Sequence, residues 1–203
     1  MALMTANPAL ILNNIDVIRG EKLVLNDISL QLFPGDALYI TGVNGAGKTS
    51  LLRTIAGFCP ITSGSMYHSG AIAWLGPQNA LKPQLTVQDN LTLTRKACPT
   101  DLTYILDYLN LSKLVHMPVN RLSSGQKRRT ALARVYLSQA PLWLLDEPAT
   151  SLDAASITQL EQLIANHRQQ GGMVALTSHT PLHVPNNIHL PLTINTSHEE
   201  TLW

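Results

Sequence analysis

Eight consecutive residues, Gly42, Val43, Asn44, Gly45, Ala46, Gly47, Lys48 and Thr49, fit the pattern GxxxxGK[ST]. They follow the apolar stretch ALYIT (37–41) and precede the helix-like SLLRTIAG, the strand–loop–helix setting in which this pattern cradles polyphosphate. Glycines let the backbone wrap closely around phosphate oxygens, and successive N–H groups at a helix start form a concave positive site for a polyanion. Lys48 is expected to reach the β and γ phosphates and Thr49 to hold Mg²⁺, with Ser50 in the same nucleotide-binding set. A second site follows the apolar LWLLD (142–146), where Asp146, Glu147 and Pro148 emerge at a strand end. Open α/β sheets bind ligands at that edge. Asp146 suits a Mg²⁺ contact through water, and Glu147 suits a base that polarises the attacking water.

Four strand-length apolar stretches, ALYIT (37–41), AIAWL (71–75), LWLLD (142–146) and MVALTS (173–178), alternate with turns and helical patterns. The alternation predicts an α/β fold with a largely parallel sheet. Between the second and third stretches, Leu102, Ile105, Leu106 and Leu109 follow the i, i+3, i+4, i+7 spacing of a helix. A further helix is expected to start after Ser123 and run through Leu132 and Val135. Residues 81–138 therefore read as a helical insertion, bounded by Pro83 and Pro141. Ile157, Leu160, Leu163 and Ile164 mark another helix, closed by Gly171 and Gly172.

The chain has 203 residues with 45% hydrophobic content, enough for one domain. Its formal net charge of +1 gives no sign of a nucleic-acid partner. The basic run Lys127, Arg128, Arg129 lacks interleaved aromatic residues and reads as a solvated helix face. Only 13% of residues are charged against about 25% in typical domains, which points to a surface covered by another protein. No apolar run approaches the roughly 20 residues of a membrane span, and the start MALMTANPAL does not read as a signal peptide, so the chain is expected to stay in the cytoplasm. Cys59 and Cys98 are 39 positions apart and read as structural thiols. His179, His183 and His189 do not read as a metal or haem site, because Pro181 and Pro185 break the helix that would align the first two.

Residues 122–126, LSSGQ, followed by KRRTALARVYL, resemble the LSGGQ signature of the ATP-binding-cassette ATPases. Further elements of that family occur in order: Gln78 at the Q-loop, Ser151, Leu152 and Asp153 at the D-loop, and His179 at the switch histidine. The resemblance implies a P-loop NTPase (RecA-like) α/β fold with a mostly parallel sheet, a small antiparallel β part and an inserted helical subdomain. It divides the single domain into a catalytic lobe (1–80 and 139–203) and a helical subdomain (81–138). The cofactors implied are ATP and Mg²⁺, with Gln78 joining Thr49 and Asp146 at the metal and contacting the attacking water. His179 would bond the γ-phosphate. Ser123, Ser124, Gly125 and Gln126, with Asp153, would face the ATP held by a second subunit, so the implied assembly is a head-to-tail homodimer.

Within the family, WLGPQNALKPQLTVQDNL, PVNRLSSGQKRRTALAR, PLWLLDEPATSLD and GGMVALTSHTPL look like the ATP-binding subunits of cytochrome c maturation haem exporters. That likeness spans roughly residues 10–183 and implies a peripheral subunit on the cytoplasmic face of a bacterial inner membrane, coupled to separate permease subunits. No residue marks a direct haem site, and the likeness leaves open whether haem or a haem-loaded chaperone is what moves. The alternatives are an exporter of another substrate or a soluble cassette ATPase. Two features depart from the family pattern. Residues 9–32 contain no Phe, Tyr or Trp to stack on adenine, which leaves Arg19 as the candidate. Only 30 positions separate Lys48 from Gln78, so the antiparallel part is expected to be trimmed.

Overall fold

The computed structural model describes Asn7 and residues 9–92 and 99–194. Cys98 lies outside the described residues, whereas Cys59 is a buried free thiol. Two sheets form among the described residues. One is antiparallel, with β1 (Leu10–Arg19) between β2 (Lys22–Leu32) and β4 (Ser63–His68). The other runs in the order β5 (Ile72–Leu75), β6 (Leu142–Asp146), β7 (Met173–Thr177), β3 (Ala37–Thr41), β8 (Ile188–Pro191), and every pairing in it is parallel.

Burial explains which strands lie at the centre. All five residues of β6 and all five of β7 are buried, the continuous apolar run expected of a parallel strand covered on both faces. Alternate residues serve opposite layers. Leu142 and Leu144, with Met173 and Ala175, pack with Leu38 and Ile40, α1 (Lys48–Ile55) and the antiparallel sheet. Trp143 and Leu145, with Val174 and Leu176, pack on the other face against α3 (Pro99–Tyr108), α4 (Ser124–Leu137) and α5 (Ala154–Gln169). The period of two along a strand therefore divides the interior into two cores separated by the sheet.

The helices agree with their spacing. Ile105, Leu106 and Leu109 of the first expected helix are buried, and so are Leu160, Leu163 and Ile164 of α5. Beyond Gln169 the chain turns at Gly171, whose φ of 86° is the left-handed conformation that ends a helix. Between β5 and β6 lie α2 (Val87–Thr92), α3, two single 3₁₀ turns at Ser112–Leu114 and Val119–Arg121, and α4. Edge strand β8 has no counterpart in the apolar stretches. It is mostly exposed and ends in Pro191, so neither hydrophobic periodicity nor propensity marks it.

Candidate nucleotide site

The parallel register aligns the chemistry at one edge. Ile40 of β3 is level with Thr177 of β7, and Thr177 is level with Asp146 of β6. Neighbouring strands lie about 4.8 Å apart, so the phosphate loop after β3 and the carboxylates after β6 are separated by roughly 10 Å along the edge. The turn after β7 carries His179 and the turn after β5 carries Gln78, so four successive strand ends supply the candidate residues.

The loop from Gly42 to Gly47 depends on glycine conformations. Gly42, Gly45 and Gly47 have φ of 142°, 86° and 98°. A Cβ at Gly47 would lie 2.9 Å from Val24 O and from Leu25 Cδ2, and one at Gly42 would lie 2.3 Å from Leu192 O. The loop is thus pressed against β2 and the stretch after β8, with no room for side chains at either contact. Gly47 is the N-cap of α1, and no side chain caps the helix. The first helical N–H groups, those of Lys48, Thr49 and Ser50, belong to the orphan set that an anion can satisfy. Lys48 Nζ donates to Gly42 O at 2.7 Å and Val43 O at 3.1 Å, so the ammonium is folded over the loop where phosphate would lie.

Asp146 is 1% exposed. Its Oδ1 accepts from Thr177 Oγ1 at 2.7 Å, while Oδ2 is buried and unpartnered. An unpaired carboxylate oxygen is costly to bury, and a cation beside it would remove that cost. The Asp146 carboxylate and the Thr49 hydroxyl are hard oxygens, the ligand type that Mg²⁺ takes. Glu147 has φ of 52°, an uncommon conformation for a residue with a side chain. Its backbone N–H is anchored to Thr177 O and Oγ1, and its Oε2 accepts from the His179 backbone N–H at 2.8 Å. His179 Nε2 stands 3.6 Å from Glu147 Oε1. That separation is too long for a hydrogen bond, and Glu147 Oε1 is buried without a hydrogen-bond partner, so the carboxylate is held by the His179 backbone with the ring close by. Thr177 is a site residue that motif reading missed; its position in register beside Asp146 was its only signal.

The other expected residues are placed as follows. Gln78 is exposed on the turn after β5. Ser123 caps α4 by accepting from Gln126 N–H, and Gln126 Oε1 accepts from Ser123 N–H in return, a reciprocal capping box. Ser123 and Ser124 are exposed, and a Cβ on Gly125 would come within 2.8 Å of Ser151 O, so the helix start rests on the loop that follows Glu147. No hydrogen bond of the described residues joins 123–126 to the loop 42–49 of the same chain. Asp153 caps α5 through Ser156 N–H, and the bonds from Ser156 hold its carboxyl below the usual range. Arg19 is exposed where the β1–β2 hairpin turns, opposite Lys22. The three histidines lie apart: His179 meets Glu147, His183 N–H meets Glu161, and His189 meets Thr41 Oγ1 at 2.7 Å.

One expectation is overturned. The run 127–129 is not a solvated face: Arg128 is 2% exposed, and Arg129 is part-buried and donates to Ser156 Oγ. Arg128 shares a helix stripe with Ala131, Leu132 and Val135, and that i, i+3, i+4, i+7 spacing was the signal that it points inward.

Comparison with known proteins supports the same assignment. The ABC transporter family description matches residues 25–150. The cytochrome c biogenesis ATP-binding export protein CcmA of Gluconobacter oxydans is 48% identical over 190 residues, covering 94% of this chain and 90% of its own. The CcmA of Hyphomonas neptunium is 42% identical over 88% of this chain and 93% of its own. Among solved structures, an ATP binding subunit of an ABC transporter superposes with a TM-score of 0.78 over 84% of this chain and 79% of that one, at 20% identity, a likeness of fold. A chain of an inward-facing ABC transporter of metal-chelate type gives 0.77 over 93% and 80%, at 28% identity. With a complete phosphate loop, an acidic strand end and a paired histidine on that fold, the chain is an ATP-binding and ATP-hydrolysing subunit of the ABC transporter family, and it belongs to the cytochrome c biogenesis ATP-binding export proteins CcmA.

Proposed function

We propose that this chain is the motor of a membrane complex for cytochrome c biogenesis, closing as a head-to-tail pair on two ATP molecules and reopening after hydrolysis. The observation that carries the reading is the meeting at one sheet edge of Lys48 on the loop, the unpaired Oδ2 of Asp146, and Glu147 bonded to the turn of His179. In this reading the loop N–H groups and Lys48 bind the phosphates. Thr49 and Asp146, with Gln78, would hold Mg²⁺, which neutralises phosphate charge when bound. Glu147 orients and deprotonates the attacking water, and His179 bonds the γ-phosphate. Ser123, Ser124 and Gly125 of a second copy cover that phosphate, chiefly through the exposed Ser124 hydroxyl and the N–H groups of Ser124 and Gly125, since the capping box with Gln126 engages the Ser123 hydroxyl and N–H. Residues 1–80 with 139–203 act as the catalytic lobe and 81–138 as the lobe that follows the permease.

Among the described residues no helix is long and apolar enough to cross a membrane. The reading therefore assigns the transmembrane path to separate permease subunits and this chain to the cytoplasmic face of the inner membrane. The test is Glu147→Gln. It is expected to retain ATP binding, lose at least about 100-fold in turnover, and accumulate an ATP-bound dimer on gel filtration. Normal steady-state hydrolysis would remove Glu147 from the role of base. Gentle solubilisation of native membranes with the tagged chain is expected to bring out cytochrome c maturation permeases; a different permease would transfer the substrate assignment to it.

A further inference from the structure

Arg128 is the most completely engaged side chain of the described residues. Its Nε donates to Pro148 O at 3.1 Å. Nη1 donates to Gly76 O at 2.8 Å and Asn79 Oδ1 at 3.0 Å, and Nη2 to Asp146 O at 2.8 Å and Glu147 O at 2.7 Å. All five N–H groups of the guanidinium are thus used, and every acceptor is a neutral carbonyl oxygen. Burial pushes Arg128 down to about 10, and the Asp146 and Glu147 carboxylates work against that fall, so the group is a cation at neutral pH.

The acceptors belong to two segments that carry chemistry. Gly76 and Asn79 flank Gln78. Asp146, Glu147 and Pro148 form the turn of the acidic strand end, including the left-handed backbone of Glu147. The donor sits in the second turn of α4, which begins with the signature. Arg134, further along the same helix, donates to Asn79 O at 3.0 Å and Ala80 O at 2.5 Å, so loop 76–80 is held to α4 by four bonds. A carbonyl pair fixes the peptide planes on either side of Glu147, which sets where its carboxylate points; a backbone held at positive φ needs such outside support.

We infer that Arg128 is a positioning residue for hydrolysis: its guanidinium locks the signature helix to the Gln78 loop and to the Glu147 backbone, so that phosphate seated at the helix start aligns base and loop together. The inference rests on Glu147 acting as base. It assigns to α4 a second task besides presenting the signature, and it gives the ATP bound across the dimer a mechanical route from the start of the helix to Arg128 in its second turn.

The discriminating variant is Arg128→Lys, which retains the charge but has three donors on a flexible stem in place of a five-donor planar fork. In the full chain within its native membrane assembly, kcat is expected to fall about tenfold or more, while KM for ATP and the affinity for a fluorescent ATP analogue change less than about twofold. Asn79→Ala, which removes one acceptor from a part-exposed loop, is expected to lower kcat by about threefold with thermal unfolding unchanged. In the Glu147→Gln background, Arg128→Lys should slow single-turnover hydrolysis by less than about twofold, because the group it aims is already gone. Wild-type kcat in Arg128→Lys would overturn the inference. So would a loss of ATP affinity as large as the loss of kcat, or an equal drop in both backgrounds, since each marks a purely structural arginine. Loss of turnover in Glu147→Gln beside normal Arg128→Lys sinks only the inference; normal turnover in Glu147→Gln sinks the base assignment and the inference with it.

Discussion

The two helix N-termini proposed to meet phosphate are built in opposite ways. The start of α1 has a glycine N-cap in the left-handed region and no side-chain cap. The start of α4 has a serine N-cap and a closed capping box. Neither first turn contains an acidic residue, so the positive end of each helix dipole is left uncompensated by the chain itself. The contrast shows two kinds of readiness. The α1 start has no side-chain cap, whereas the α4 start is capped by its own side chains, a difference in keeping with the proposal that the signature takes its ligand from a second copy.

The largest expected effect tests the uncapped end. Lys48→Ala removes the charged donor from the loop, and hydrogen bonds to charged groups are worth about 1.5–3 kcal/mol, so ATP affinity should weaken by roughly 10- to 150-fold in a fluorescent-nucleotide titration. A loss under threefold would mean that the ammonium is spent on Gly42 and Val43 rather than on phosphate. Gly47→Ala comes next. It combines a φ of 98° with a Cβ 2.9 Å from Val24 O, and should reduce stability in urea by about 2 kcal/mol as well as weaken ATP binding. If the variant unfolds and binds like the parent, the loop is not pressed against β2.

Smaller effects test the capped end and the base contact. Ser123→Ala opens the capping box and should cost about 1 kcal/mol in urea denaturation, while ATP binding to a single chain stays unchanged. A binding loss in the monomer would place the signature over its own loop and break the distinction between the two helix starts. Arg19→Ala should weaken ATP by about two- to fivefold, the scale of an exposed cation–π contact of about 0.5–1 kcal/mol. Unchanged affinity would leave adenine to another surface.

Much of the site could be read because its chemistry is local in the chain. The phosphate loop, LSSGQ and the acidic strand end are each contiguous, and the apolar stretches before them identify the strands that present them. The antiparallel sheet was legible only as a part of the family pattern. Its β1 alternates with interruptions, and register shifts around Asn14 and Asp16 break the period of two. Strand β8 was not legible, because an exposed edge carries no burial pattern. The basic run misled for a different reason. Charge argued for solvent at 127–129, while the helical stripe ending in Val135 argued that Arg128 faces inward, and the stripe was right because five carbonyl oxygens wait at its end.

Within this chain, contiguous residues alone determined which loop is proposed for phosphate, where α1 and α4 start, and that β6 and β7 lie buried, since those depend on glycine conformations, capping and periodicity. Tertiary structure decided the rest. Only the parallel register sets Asp146 beside Thr177 and leaves one of its oxygens unpaired, and only the packing of α4 brings Arg128 onto Gly76, Asn79 and the Glu147 turn. Those acceptors stand 18 to 52 positions from the arginine that joins them, and hydrogen-bond complementarity over such distances comes into being only when the strands and the helix have assembled.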